Sequence, residues 1–519
     1  MRLSVRGGLA GVAAAAVAVG VAEIVAVLTG PLSAPLIAVG GVVVDNVPGP
    51  VKDFGVRVFG VHDKTALITG TAVLLGVYAW LVGVIALRSW RAALGGIALF
   101  GLIGVAAAVT RHDAGVAAAL PSVIGALVAV PVLRYLLNIA VVGEPMGARL
   151  GGAGVAVVDH VDTYPERGRR RFLKAVGIVV GVAAVGGIAG RLLTGRRSVS
   201  AARSDVTLPA AQSAAPAVPA NAQAAGAVGY VTSNDDFYRI DTALFPPQVD
   251  PANWQLRIHG MVRNPITITW AELLKRPMIE RYVTLACVSN EVGGDLIGNA
   301  RWLGTPIKEL LDLADPLPEA DQVVQRSTDG WTCGTPTAVL RDGRDALLAI
   351  GMNGKPLPIQ HGFPVRMVVP GLYGYVSACK WITEIELTRF SDFDAYWVPR
   401  GWSAQAPIKT QSRIDTPRDG ARRPAGTVMV AGVAWAQHTG IAKVEVQVDG
   451  EPWQPATLAG TVSSDTWRQW TFRWENARPG DHAIRVRATD VTGYTQTSTP
   501  APPAPNGATG WHNVLVSIE

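Results

Sequence analysis

Cysteine is nearly absent: Cys287, Cys333 and Cys379 are the three in 519 residues. A low, odd count argues against a disulfide scaffold, and a lone thiol is by default a small apolar core residue. Charge is also scarce, at 17% of residues against 49% hydrophobic, with a net charge of +6. The basic residues are scattered apart from one cluster at Arg167–Lys174, and no basic stripe accompanies a nucleic-acid-binding signature. That excludes nucleic acid as a partner. Up to about Leu193 the chain is mostly Ala, Val, Gly, Leu and Ile; beyond Tyr230 it reads as soluble protein rich in Trp, Pro and charge. The length and this division imply a multi-domain chain.

Five stretches are long and apolar enough to span a bilayer: Gly8–Leu28, Thr65–Leu87, Ala92–Thr110, Ala114–Leu133 and the Gly-rich Phe172–Leu193. Pro31–Val44 is marginal. If it does not cross, Arg2, Arg6, Arg88, Arg91, Arg134 and the Arg167–Lys174 cluster share one side, as the positive-inside rule favours. Residues 1–193 are therefore expected to form a transmembrane helical bundle of five crossings plus a re-entrant or interfacial segment, with the later domains outside the cell. No His lies within a span, since His62, His112 and His160 fall between them, so no haem is expected in this chain. Glu23, the one carboxylate within a span, is expected near the interface. The run Arg169-Arg170-Arg171-Phe172-Leu173-Lys174 reads at least as a stop of positive charge, and it resembles a twin-arginine export signal. Residues 194–229, rich in Ala, Ser and Pro, are expected to be a flexible tether.

Residues 230–400 read as mixed α/β. Trp254–Gly260 alternates as a strand, Thr269 and Glu272 have the spacing of a helix-capping box, and Arg281–Val288 is a strand with Cys287 near its end. Cys287-Val288-Ser289-Asn290, followed by Gly298-Asn299-Ala300-Arg301-Trp302-Leu303-Gly304, resembles the cofactor-cysteine segment of the sulfite oxidase family. Phe237-Tyr238-Arg239, Met352-Asn353-Gly354-Lys355-Pro356-Leu357-Pro358, His361-Gly362-Phe363-Pro364-Val365-Arg366, Pro370-Gly371-Leu372-Tyr373-Gly374 and Lys380-Trp381 continue the match in order.

The resemblance implies a molybdenum–molybdopterin cofactor with Cys287 as thiolate ligand, a role that suits a soft anionic sulfur. It also implies that Tyr238, Arg239, Arg366 and Lys380 meet the pterin and its phosphate, that His361 hydrogen-bonds the pterin, that Asp329 is nearby, and that Arg301 serves the metal pocket in catalysis. One place departs from animal sulfite oxidases, where an arginine follows Cys-x-x-Asn; here it is Glu291. A carboxylate there would repel sulfite, so a neutral or cationic S- or N-oxide is at least as good a substrate.

Residues 401–519 read as an all-β, immunoglobulin-like sandwich, with alternating runs at Val428–Trp435, Ile441–Asp449, Trp467–Trp474 and His482–Asp490. Asn506-Gly507 through Trp511-His512-Asn513 resembles the closing part of the family's dimerisation domain, which implies a homodimer contact there. The resemblance thus implies a multi-pass membrane protein with an extracytoplasmic oxidoreductase domain. That domain would couple oxygen-atom transfer on a small oxyanion or oxide to two electrons from a separate partner. The alternative is a catalytically inactive, membrane-displayed binding module.

Overall fold

The computed structural model describes residues 2–30, 33–47, 58, 63–110, 115–141, 165–196 and 199–519. The chain divides into two compact units, Met1–Ser198 with Thr242–Phe245, and Val199–Asp241 with Pro246–Glu519. Among the positions noted from the sequence, Pro31, His62, His112 and His160 lie outside the described residues.

The first unit is helical: α1 (Leu3–Thr29), α2 (Pro35–Asn46), α3 (Asp63–Ala86), α4 (Trp90–Val109), α5 (Leu120–Val141) and α6 (Pro165–Arg196). Among the described residues five helices are long and apolar enough to cross a bilayer. The exception, α2, has 12 residues, about 18 Å at the helical rise, well short of a hydrocarbon core. α1 packs against α3, α5 and α6. It can do so because Gly7 and Gly11 face Ala79 and Gly83 so closely that a β-carbon on Gly11 or Gly83 would strike the opposite backbone. Small residues spaced by four are what close helix crossing in an apolar setting requires. Glu23 is half-buried and lines an apolar cavity of about 480 Å³ along α1, α3 and α6. The Arg169–Lys174 cluster lies inside α6 rather than ahead of it.

The second unit carries two five-stranded sheets from its mixed α/β part. Its strands are β1 (Gln255–Gly260), β2 (Ile266–Thr269), β3 (Ile279–Ala286), β4 (Ile297–Pro306), β5 (Gln322–Ser327), β6 (Thr332–Pro336), β7 (Leu347–Met352), β8 (Lys355–Pro356), β9 (Arg366–Val368) and β10 (Ile382–Thr388). One sheet runs β2-β1-β10-β5-β6; the other runs β3-β4-β7-β8, with β9 added on β7. Apolar alternation builds the first core: Leu256 and Ile258 of β1 are fully buried while their neighbours Gln255 and Arg257 face out. Thr269 and Glu272 form the expected capping box, which starts a one-turn helix at Trp270–Leu273.

The sandwich follows as β11 (Gln411–Thr416), β12 (Ala421–Arg423), β13 (Gly426–Trp435), β14 (Ile441–Val448), β15 (Gln454–Pro455), β16 (Thr457–Leu458), β17 (Arg468–Ala477), β18 (Gly480–Asp490) and β19 (His512–Ile518). They form sheets β11-β13-β17-β16 and β12-β19-β18-β14-β15 around Val430, Val444, Trp470, Ile484 and Val486. The connection from β14 to β15 turns at Asp449-Gly450, both at positive φ.

The expectation of a flexible tether at 194–229 is corrected. Residues up to Arg196 continue α6, and residues from Val199 are packed on the second unit. Arg203 donates to the carbonyls of Leu357 (2.6 Å) and Pro356 (2.7 Å). The amide of Gln212 donates to Met278 and that of Glu280 to Ser213, both at 2.8 Å, and Ala222 is fully buried. Small side chains cannot build a core of their own, but they let an extended segment lie flat on one already built. A soluble fragment beginning at Tyr230 loses these bonds, worth several kcal/mol at about 1 kcal/mol each and more for the charged donor. Its melting temperature is expected to fall roughly 5–10 °C below that of a fragment beginning at Val199, measured by calorimetry.

Candidate active site

Cys287 stands one residue past β3, where the strand opens into a loop. Its amide donates to the Leu296 carbonyl (2.9 Å), the Asn290 amide donates back to the Cys287 carbonyl (3.2 Å), and Asn290 Oδ1 accepts from the Leu296 amide (2.8 Å). The loop is thus closed on itself and the sulfur is fixed. Sγ lies 2.9 Å from Ser289 Oγ, and burial pushes the thiol above its usual pKa. Asn290 Nδ2 is buried with no protein partner among the described residues. Such a donor is costly unless something accepts from it.

Beyond Tyr238, which lies within electrostatic reach of both Cys287 and Arg366, the fold gathers cations. Arg366 begins β9 and is 5% exposed. It donates to the carbonyls of Met367 (3.3 Å) and His361 (3.1 Å), and its guanidinium lies 5.0 Å from the Trp302 ring centroid. No carboxylate among the described residues forms an ion pair with it. Burial lowers its pKa to about 10, a sign of how poorly its charge is compensated. Lys380 is bridged to Arg366 by backbone pairing. Its Nζ meets Asp241 (2.6 Å) and the Gln360 carbonyl (3.2 Å). Desolvation brings it down to about 8 despite that carboxylate. Arg239 shares Asp241 at 2.9 Å. Two cations, Lys380 and Arg239, therefore share one carboxylate, while Arg366 beside them has none among the described residues.

His361 donates from Nε2 to the Asn234 carbonyl (3.0 Å) and is held neutral, with its pKa at about 3. Burial is the first cause, and the charges of Arg366 and Lys380 add to it. Gly362, at φ +111°, sits where a β-carbon would press on the β-carbons of Arg366 (2.9 Å) and Lys380 (3.2 Å). Glycine is what lets the His361 turn approach the cation pair. Tyr238 stacks on Phe237 (5.2 Å between ring centroids). Burial raises its phenol pKa; the nearby Cys287 adds to the rise and Arg366 opposes it, so the hydroxyl lies among these groups.

Of the residues singled out from sequence, Cys287, Tyr238, Arg239, His361, Arg366 and Lys380 come together. Arg301 does not. It lies on β4, which runs antiparallel to β3, five residues beyond the Leu296 that pairs with Cys287, roughly 16 Å along the strand. There it pairs with Glu280 (3.6 Å) over Gly354. Its expected service to the metal pocket is withdrawn. Asp329 caps the β5–β6 turn, accepting from the Trp331 amide (3.2 Å), and its nearest influence here is on the Cys379 thiol. Two residues without an assigned role also belong to the site. Asp241 pins Lys380 and Arg239, and its position two residues after Arg239 was the available signal. Tyr373 has a hydroxyl that accepts from Gln411 Nε2 (2.9 Å); burial raises its pKa, and the nearby Cys287 adds to the rise.

This chemistry fits an anionic organic cofactor that brings its own metal ligands. Among the described residues no group of three or more His, Cys, Asp or Glu could hold a metal ion. A metal beside Cys287 would therefore rely on non-protein ligands, and the uncompensated cations supply donors for phosphate and pterin oxygens.

Comparison with known proteins agrees. Residues 243–397 match the oxidoreductase molybdopterin binding domain, and residues 411–486 match a bacterial Ig domain. Mitochondrial sulfite oxidase from Mus musculus is 30% identical over 53% of this chain and 58% of its own length. The uncharacterized oxidoreductase YuiH from Bacillus subtilis (strain 168) is 30% identical over 31% of this chain and 79% of its own. The protein-methionine-sulfoxide reductase catalytic subunit MsrP from Burkholderia mallei (strain ATCC 23344) is 32% identical over 46% of this chain and 73% of its own. The chain thus spans somewhat over half the length of the mouse protein and most of the two bacterial ones. It belongs to the sulfite oxidase family of molybdopterin-dependent oxidoreductases.

Proposed function

We propose that this chain is a membrane-anchored, extracytoplasmic molybdenum oxidoreductase that transfers one oxygen atom to or from a small substrate, coupled to two electrons exchanged with a separate partner. The observation that carries the reading is Arg366: a buried guanidinium with no carboxylate partner among the described residues, paired with Lys380 through the backbone and sharing Tyr238 with the Cys287 thiol. Uncompensated buried charge is retained where a ligand supplies the counter-charge. A catalytically empty scaffold would have no use for it. The bound molybdopterin would supply the two-electron couple and the oxygen transfer. Cys287 would ligate the metal, Arg239, Arg366 and Lys380 would hold the anionic pterin, and Tyr238 and neutral His361 would line and orient it.

The substrate we favour is an uncharged or cationic S- or N-oxide. Glu291, in the loop after Cys287, is exposed and joins no ion pair among the described residues. Its field therefore acts on whatever approaches and discriminates against a doubly charged oxyanion. Substituting Glu291→Arg is expected to raise kcat/KM for sulfite roughly 10- to 100-fold relative to an uncharged sulfoxide, read by steady-state turnover of both. An unchanged ratio would remove Glu291 from substrate selection.

The five apolar helices support membrane anchoring, and the arginines at the start of α6 support export of an already folded, cofactor-loaded domain. Changing Arg169 and Arg170 to Lys is expected to leave the second unit in the cytoplasm, assayed by protease accessibility in spheroplasts. Normal export of that variant would refute the signal. A homodimer contact through the sandwich is part of the same proposal.

A further inference from the structure

The loop that carries Cys287 and Glu291 is gripped from outside the α/β part. Arg413, on β11 of the sandwich, donates from a terminal nitrogen to the Gly294 carbonyl at 2.8 Å. Its Nε is held at 2.7 Å by Asp415, and both side chains are nearly fully buried, at 9% and 7% exposed. Asp415 in turn accepts the Val228 amide at 3.1 Å, so the segment leading into this unit fixes the same pair. On the other flank the His512 ring of β19 lies against Gly293, at φ +80°, where any β-carbon would collide with it. His512 Nδ1 accepts from the Ile414 amide (2.9 Å), which sets the ring's position. The apex Glu291–Gly294 is closed by a further bond from the Gly294 amide to the Glu291 carbonyl (2.9 Å).

We propose that Arg413 is a positioning residue of this active site, through which the sandwich sets the conformation of the loop bearing Cys287 and Glu291. A guanidinium paired to a buried carboxylate is a rigid donor, and a charge-assisted bond from it to a carbonyl is stronger than a neutral one. The loop's four internal bonds span only Cys287–Leu296 and leave its apex free to swing as a unit. Arg413 and His512 remove that freedom from two sides. Glu291 is then held at a fixed distance from the sulfur, and charge selection becomes a property of both domains. This inference rests on the proposed function, because only a substrate reacting near Cys287 would register the loop's position.

The test uses the full chain carrying its cofactor, with Arg413→Ala, Arg413→Lys and Gly293→Ala. Gly293→Ala disturbs the apex from the His512 side without touching Arg413. Amide hydrogen exchange at Cys287, Asn290, Gly294 and Leu296 is expected to accelerate roughly 10- to 100-fold in Arg413→Ala, the cost of losing a charge-assisted buried bond. Exchange in β17 and β18 should not change, and Arg413→Lys should recover part of the protection. KM for an uncharged sulfoxide should rise at least fivefold in Arg413→Ala and in Gly293→Ala, with kcat within about threefold of the parent. Loop exchange within twofold of the parent, or a KM unchanged in both variants, overturns the proposal. If Arg413→Ala exposes the sandwich core, Arg413→Lys decides by the same readouts: loop exchange between parent and Arg413→Ala values supports the proposal, and exchange within twofold of the parent overturns it. The exchange measurement is independent of the cofactor: a metal-free parent whose loop still loosens in Arg413→Ala would sink the proposed function and leave the clamp standing.

Discussion

Substituting Cys287→Ser is expected to lower kcat at least a thousandfold, about 4 kcal/mol of transition-state stabilisation, while the melting temperature of the cofactor-stripped variant stays within about 2 °C of the stripped parent. The two effects separate for a physical reason. Serine nearly matches cysteine in volume, and the loop's hold on residue 287 is through backbone bonds to Leu296 and Asn290 that the substitution does not touch. What changes is the ligand. Burial holds the free thiol protonated; a bound metal reverses that by stabilising the thiolate directly. A serine hydroxyl is far harder to ionise, and its oxygen is a hard donor where a soft one is wanted. Steady-state turnover of the loaded proteins and a thermal melt of the stripped ones check both halves. A variant retaining a tenth of parental turnover would exclude Cys287 as the metal ligand.

Arg366→Met should move two quantities in opposite directions. Among the described residues the guanidinium has no carboxylate partner; it is tied to the Met367 and His361 carbonyls and the Trp302 face. Replacing such a charge by an apolar side chain of similar length is expected to stabilise the empty fold by about 1–3 kcal/mol. That raises its melting temperature by a few degrees. The same change removes a donor aimed at an anionic ligand, so pterin retention should weaken roughly 100-fold or more. Melting of the stripped protein and pterin content after gel filtration measure the pair. If Arg366→Met destabilised the stripped protein, the charge would be structural rather than a waiting ligand site.

Much of this site was legible through ordered motifs that resemble the family's, and those motifs fall in turns whose local chemistry is short-range. His361-Gly362 needs a left-handed glycine beside the cation pair, and Cys287 directly follows a strand of apolar and β-branched residues. Period-two alternation likewise marked the long sandwich strands to within two or three residues of β13, β14, β17 and β18. Arg301 was misplaced because nearness in sequence to the cysteine segment says nothing of strand direction. β4 runs antiparallel to β3, and each further residue moves away from the sulfur. The segment 199–229 was misread because composition measures whether a stretch can bury itself, not whether a neighbour offers a surface. Arg203, Ala222 and Val228 find theirs on Leu357, the main core and Asp415. The Arg413–Gly294 contact joins residues 119 apart, and no local pattern announces it.

The most direct test is the molybdenum and pterin content of the purified full chain, expressed in molybdenum-replete cells and compared with Cys287→Ser. The account predicts about one of each per parental chain and a metal that is lost from the variant. A parental protein free of both, with its fold intact, would contradict it.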